Sequence, residues 1–429
     1  MAAAPRRDRR VATPAAFRAL GRAVGVPVSQ VAAYWGQERL AIRRGMSALL
    51  LAAFTGMIAG GFLAGAEDTL EALPGLLLLV PAAIDMRGNI YGALASRLST
   101  AIHTGQYERE LRLDGFLGKQ IVATSYLTVG TSVVIAGMAW LFAGALGLTT
   151  IPVWHLIVIA TLGGVLSSVF LLLLTIALSR FAHARDWNMD DVGAPTITVA
   201  GDVLTVPALL LATLLVRDDT VATVLGAVLG LLGMVCLVAG WVARDDLVRR
   251  IVRESAPTLA VAVGVGTVAG TILESRVEQL LASPWLLVLI PPFVATCGSL
   301  GGMLSSRLAS KLHLGAITPT WLPRGPALLD ASLTLLFGTF AFTALSLTTW
   351  GWASVADLGP PLLPVLIGVG LLAGAISTVL LIGVAYLTAA ASVRFGLDPD
   401  NEGIPIVTSA MDLLGLLVLV AVVTLTGIG

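Results

Sequence analysis

The sequence predicts an all-α polytopic membrane protein with about eleven transmembrane helices, arranged as two parallel five-helix repeats and one linking helix. Its 429 residues are 57% hydrophobic and 12% charged, and the charged fraction is roughly half that of a soluble domain. Many apolar runs exceed the roughly 20 residues that a helix needs to cross a bilayer. An internal repeat divides these runs into two copies of one unit.

The repeat is visible when the chain is shifted by 210 residues. Segment 81–105 aligns with 291–315, and segment 190–204 aligns with 400–414, both in one register and without a gap. The residues of the first segment that recur in its copy are Pro81, Gly88, Gly92, Leu94, Ser96, Arg97, Leu98, His103 and Gly105. Two separate blocks at one offset indicate a tandem duplication rather than chance similarity between apolar helices.

Five helices per repeat would leave the chain on the far side of the membrane, so a sixth is needed to bring it back. Both repeats then point the same way and are related by a pseudo-two-fold axis along the membrane normal. The predicted segments are an N-terminal interfacial segment at 1–45, a first repeat at 46–216, a linker with one transmembrane helix at 217–255 and a second repeat at 256–429.

Basic residues lie almost entirely in alternate connections of this helix map. The positive-inside rule therefore predicts a cytoplasmic N-terminus and an extracytoplasmic C-terminus in the cell membrane. The zero formal net charge argues against nucleic acid as a partner and leaves membrane lipid and small ions. No P-loop, HExxH or Gly-x-Ser-x-Gly motif occurs, so we do not expect an enzyme.

Asp202 and Asp412 are equivalent acids about two turns inside predicted membrane helices. A carboxylate there costs several kcal/mol unless it faces water, a cation or a partner. If these helices face the axis, a divalent cation between the two aspartates would relieve their repulsion. The sequence therefore predicts a metal site at this pair. A helix cap or a buried hydrogen bond within each repeat is the alternative.

The residues before each aspartate suggest how the two helices begin. Pro195 and Pro405 suit a first helical turn, which needs no amide donor. Thr198 and Thr408 lie four residues before the aspartates and share a face with them, so their hydroxyls are predicted to line the ion path. Back-bonding to the helix is the alternative for both threonines.

Acidic loops before the prolines are expected either to collect cations or to be solvated connections. Their acidic residues are Asp190, Asp191, Asp398, Asp400 and Glu402.

The other repeated block carries polar residues that differ between its copies. Asp85, Gly88 and Asn89 are predicted to line the path in the first copy, and Ser299 in the second. Ala295 and Ser299 stand there at the places of Asp85 and Asn89. Breaks in a membrane helix can expose backbone carbonyls to an ion. We also expect Asp85 to pair with Arg87, either as a gate or as a packing salt bridge.

Two motifs in the right order, each with a degenerate second copy, resemble those of the MgtE magnesium transporter family and its tandem-domain relatives, the SLC41 solute carriers. "GNIYGALASRLSTA" (88–101) resembles the first SLC41 signature, and "LDPDNEGIPIVTSAMDLLG" (397–415) resembles the closing MgtE signature. The resemblance implies a pair of parallel five-helix units, an ion path between them and Mg²⁺ as the main ion. It assigns the pore aspartate to Asp412, and to Asp202 by the internal repeat.

The expected function is transport of divalent cations, most of all Mg²⁺, by a single-chain pseudo-dimer. Mg²⁺ releases its water reluctantly, so the aspartates should hold it largely through its waters. Two alternatives stay open, a Na⁺-coupled exchanger or exporter and a membrane magnesium receptor that passes no ion. A hydrolase that uses the two aspartates is a more distant alternative.

Overall fold

A computed structural model of the chain describes residues 27–105, 107, 112, 114–185, 189–317, 320, 323–395 and 403–428. The described residues form fourteen α-helices joined by short connections. In chain order these are α1 Val28–Gln37, α2 Arg39–Ala64, α3 Glu67–Ala72, α4 Leu76–His103, α5 Phe116–Leu146, α6 Val153–Arg185, α7 Met189–Ala212, α8 Asp219–Trp241, α9 Asp246–Glu274, α10 Val277–Ala282, α11 Trp285–His313, α12 Pro326–Val355, α13 Leu363–Phe395 and α14 Ile404–Thr426.

Ten helices in the described part of the chain are long and apolar enough to cross a membrane. They are α2, α5, α6, α7, α8, α9, α11, α12, α13 and α14. An eleventh long helix, α4, is less apolar because it carries Asp85, Arg87 and Asn89. Its 28 residues match the 29 of its counterpart α11, which meets the criterion. The prediction of an all-α polytopic membrane protein is confirmed.

The helices repeat with the same offset as the sequence. Helix α3 and its counterpart α10 begin and end 210 residues apart, and so do α6 and α13. Helix α8 has no counterpart and corresponds to the predicted linking helix. It packs on α5 and α6, and only 22% of its most apolar window is buried, so most of its surface is available to lipid.

The two repeats interlock, which the sequence analysis did not predict. The first helix of the first repeat, α2, packs mainly against α11 and α12 of the second repeat and against α7. The first helix of the second repeat, α9, packs mainly against α4 and α5 of the first repeat and against α14. Each repeat therefore surrounds a helix contributed by the other.

Glycines make these crossings close. A Cβ atom at Gly60 would lie 2.6 Å from the carbonyl oxygen of Val288, and one at Gly266 would lie 2.6 Å from the Cα atom of Ala82. Gly56 and Gly270 likewise face the backbones of Pro292 and Leu78. The four glycines form two Gly-x-x-x-Gly pairs, one on α2 and one on α9; we call these two the swapped helices. This spacing lets membrane helices approach backbone to backbone.

Polar contacts attach the segment before each swapped helix to the other repeat. The segment before α2 contacts α12, and the segment before α9 contacts α5. Before α2, Tyr34 donates to the buried Asp330 on α12 at 2.6 Å, and Asp330 also pairs with Arg307 at 2.9 Å. Before α9, Asp245 pairs with Lys119 on α5 at 2.7 Å. The hydrogen bond from Lys119 holds the pKa of Asp245 below its usual range.

The opposite end of α9 is also attached to the first repeat. Glu274, which is 6% exposed, accepts a hydrogen bond from the amide of Gly75 at 2.6 Å. Gly75 precedes α4, so the carboxylate satisfies a donor that a helix start leaves without an intrahelical partner. The second repeat thus caps a helix of the first.

Gly270→Ala should destabilise the protein more than Gly264→Ala on the same helix. The added methyl group at position 270 would meet the backbone of Leu78, whereas nothing lies within 4 Å of a Cβ atom at position 264. We expect overpacking to cost roughly 1–3 kcal/mol at Gly270 and little at Gly264. Thermal unfolding in detergent, followed by tryptophan fluorescence, measures the difference. Equal melting temperatures would contradict the close crossing.

Candidate functional site

A cavity of about 360 Å³ lies between the two repeats. Its walls come from three helices of each repeat, α2, α4 and α7 in the first and their counterparts α9, α11 and α14 in the second. This volume is more than ten times the roughly 10–15 Å³ that one water molecule needs. The cavity can therefore hold an ion together with water.

The cavity collects all eight residues that the sequence analysis assigned to the path. They are Asp85, Gly88, Asn89, Thr198, Asp202, Ser299, Thr408 and Asp412. The residues of the first repeat come from α4 and α7, and those of the second come from α11 and α14. The close crossings bring these two pairs of helices together around one space.

Helix geometry directs the polar groups of α14 into the cavity. Asp412 lies eight residues after Ile404, about 12 Å along the helix axis at 1.5 Å per residue. Thr408 shares this face and lies one turn earlier. Its hydroxyl donates to the carbonyl oxygen of Pro405 at 3.0 Å, so its oxygen lone pairs are available to a ligand but its proton is engaged. The back-bonding alternative thus holds for the Thr408 proton.

Three carboxyl groups share the cavity rather than two. Asp85 and Asp202 from the first repeat and Asp412 from the second are close enough to interact electrostatically with one another. All three side chains are half-buried and line the cavity. The Oδ2 atom of Asp85 is buried and has no hydrogen-bond partner among the described residues. A cation in the cavity would relieve the repulsion among these three acids.

The expected ion pair between Asp85 and Arg87 is wrong. Arg87 is fully buried and donates to the Ser132 hydroxyl on α5 at 3.0 Å, away from the cavity. Residues two apart on a helix point about 160° away from each other, so these two side chains cannot share a face. Two guanidinium nitrogens of Arg87 have no hydrogen-bond partner in the described part of the chain. Asp85 is consequently not neutralised by its neighbour.

The helix starts agree with the sequence prediction in one repeat only. Pro405 lies in the first turn of α14, as expected. Helix α7 begins at Met189, so Pro195 lies inside it rather than at its start. A proline is tolerated inside a membrane helix when neighbouring groups satisfy the freed carbonyl.

The predicted ion-collecting loops mostly lie outside the described residues. Asp398, Asp400 and Glu402 are among the residues that are not described, and Asp190 and Asp191 are described only as part of the α7 backbone.

The two ends of the cavity differ. At the end near α3 and α10, its walls include two equivalent pairs of apolar residues, Leu63 with Leu273 and Val80 with Ile290, all of which are buried. At the other end, the wall residues Ile404 and Pro405 are partly exposed.

The sequence analysis did not predict that the swapped helices α2 and α9 form part of the cavity walls. Gly56 and Ala59 on α2, and Gly266 and Ala269 on α9, line the cavity. The two Gly-x-x-x-Gly pairs are the signal in the sequence that could have revealed them.

Among the residues that the structure describes, no three of His, Cys, Asp and Glu are grouped closely enough to hold a bare metal ion. The carboxyl groups instead surround a space larger than an ion. This arrangement suits contact through water.

A family model described as "MgtE: Divalent cation transporter" matches residues 80–212 and 290–422. The two matches are 210 residues apart, as are the repeats. Solute carrier family 41 member 3 of Mus musculus is 26% identical over 374 residues, covering 79% of this chain and 73% of the relative. Solute carrier family 41 member 2 of Gallus gallus is 25% identical over 405 residues, covering 85% and 67%. No solved structure matches the chain.

Gly298 and Gly88 occupy equivalent positions, but substitution by alanine should have different effects at the two positions. A Cβ atom at 298 would lie 2.6 Å from Oδ1 of Asp412, whereas one at 88 would meet only the Thr198 methyl group at 3.5 Å. Gly298→Ala should therefore displace the Asp412 carboxyl group and weaken divalent cation binding about tenfold, equivalent to about 1.4 kcal/mol. Gly88→Ala should bind as the wild type does. Calorimetric titration with Mg²⁺ measures both, and equal losses would contradict this geometry.

Proposed function

The chain belongs to the MgtE family of divalent cation transporters, and from this premise we propose that it carries Mg²⁺ across the cell membrane along the pseudo-two-fold axis between its repeats. One observation carries the proposal: a single cavity between the repeats receives acidic side chains from both of them. Membrane-buried carboxylates facing a wet cavity are typical of an ion pathway.

Asp202 and Asp412 hold the ion through its water shell. Mg²⁺ keeps several waters when it binds to protein carboxylates, and the spacing of acids in the described cavity suits a hydrated ion better than a bare one. Asn89, Thr198 and Thr408 offer amide and hydroxyl oxygens to the same waters, with Ser299 in the place of Asn89 on the other side. The equivalent positions of the two aspartates put their charges at one depth.

The chain is oriented with its N-terminus in the cytoplasm. The helix ends near α1 carry most of the basic residues, whereas Arg217 and Arg276 lie at the opposite ends, as the positive-inside rule requires. With this orientation, the two apolar pairs, Leu63 with Leu273 and Val80 with Ile290, close the cavity on the extracytoplasmic side. An apolar constriction excludes a hydrated ion until the helices move apart.

Mg²⁺ flux into liposomes tests both the ion and the site. Asp202→Ala with Asp412→Ala should abolish uptake, because both charges that face the ion are lost, while the protein folds as before. Asp114→Asn with Asp357→Asn is the matched control, since it removes two charges from exposed connections. Asp357 has a φ of 54°, which asparagine tolerates, so this control adds no backbone strain.

Undiminished uptake by the Asp202/Asp412 variant would reject the site. Uptake that requires an opposing Na⁺ gradient would identify a Na⁺-coupled exchanger. A wild-type protein that binds Mg²⁺ but gives no flux in either condition would be a receptor.

Labelling of single cysteines tests the orientation. In intact cells whose protein lacks Cys236 and Cys297, a membrane-impermeant maleimide should label Asp357→Cys, between α12 and α13. Asp114→Cys, between α4 and α5, should be labelled only after the membrane is permeabilised. The reverse pattern would invert the proposed topology.

A further inference from the structure

The two halves of the cavity are not equivalent, and the difference lies at Asp85. The counterpart of Asp85 is Ala295, which lines the same cavity from α11. One turn further along α4, Asn89 faces the cavity, and its counterpart is the shorter Ser299. Helix α4 therefore presents the stronger cation ligands, and a cation drawn to all of them lies off the axis, toward the first repeat.

Asp85 reaches across to the other repeat. Its carboxyl group lines the same cavity as Asp412 on α14 and Asp202 on α7, and it interacts electrostatically with both. Its Oδ2 atom is buried beside the cavity without a hydrogen-bond partner among the described residues. A buried carboxylate oxygen without a donor needs a cation or the water around one.

The neighbouring basic residue does not supply this cation. Arg87 points to Ser132 on the opposite face of α4. The described lining residues of α2, α9 and α11 include no charged side chain. The charge that faces a bound ion from the cavity walls is therefore that of Asp85, Asp202 and Asp412.

Resting on the transport function proposed above, we propose that Asp85 is a third ion-binding carboxylate, supplied by one repeat only, that sets the preference for divalent over monovalent cations. The attraction of a cation to a fixed carboxylate is proportional to the charge of the cation. A third carboxylate therefore adds about twice as much attraction for Mg²⁺ as for Na⁺. A divalent ion held by only two carboxylates loses this extra advantage.

The pseudo-symmetry supplies a sharp test. Asp85→Ala and the nearly isosteric Asp85→Asn should both raise the Mg²⁺ concentration for half-maximal uptake, by on the order of tenfold, and both should make uptake more sensitive to Na⁺. Asp85→Ala with Ala295→Asp returns a carboxylate to the cavity from the other repeat. This exchange should restore the apparent affinity and the resistance to Na⁺ toward their wild-type values.

Calorimetric titration of the same purified variants with Mg²⁺ gives a readout that does not depend on flux. If the Asp85 variants keep wild-type affinity and selectivity while Asp202→Ala with Asp412→Ala abolishes uptake, the role of Asp85 is overturned and the transport function stands. If the exchanged variant behaves like Asp85→Ala, or if Asp85→Asn behaves like the wild type, the effect belongs to packing around α4 and the inference is also overturned. A wild type that binds Mg²⁺ in an Asp85-dependent way without flux would instead reject transport.

Discussion

The close crossing of each repeat's first helix with the second helix of the other repeat is the contact on which the rest of the structure depends. Gly60 faces the backbone of Val288, and Gly266 faces the backbone of Ala82, at separations that leave no room for a side chain. In lipid, apolar side chains gain little by meeting each other, so backbone proximity and dense packing supply most of the association. The two repeats therefore enclose each other's first helix, and the space left along their common axis becomes the cavity.

The cavity explains how this membrane protein accommodates three acids between its helices. A carboxylate in hydrocarbon is strongly unfavourable, but one that faces a space wide enough for water keeps part of its hydration. Asp85, Asp202 and Asp412 all line that space, whereas Arg87 is directed into the helix bundle and donates to Ser132. The glycine positions Gly56, Gly88, Gly266 and Gly298 keep the walls clear of side chains.

Divergence between the repeats has separated the polar groups by depth. In the cavity, the first repeat carries Asp85 and Asn89 where the second repeat carries Ala295 and Ser299. At the ends where α2 and α9 begin, the second repeat carries the stronger anchor, in which Arg307 and Lys311 surround the buried Asp330. At the equivalent place in the first repeat, Arg97 donates instead to the uncharged amide of Gln120 at 2.8 Å. The first repeat thus has more polar side chains in the cavity, and the second has more charged contacts at the helix starts.

The sequence by itself determined the helical class, the duplication at 210 residues, the linking helix and the polar residues that meet in the cavity. These features are local or periodic, because apolar length, a repeated register and an acid within an apolar run can be read along the chain. Only the tertiary structure decided that α2 packs against the second repeat and α9 against the first. The residues on one face of a helix do not reveal which helix that face contacts. It also decided that Asp85 lines the cavity with Asp412 and does not pair with Arg87. Two residues that are two positions apart on a helix point to different sides of it.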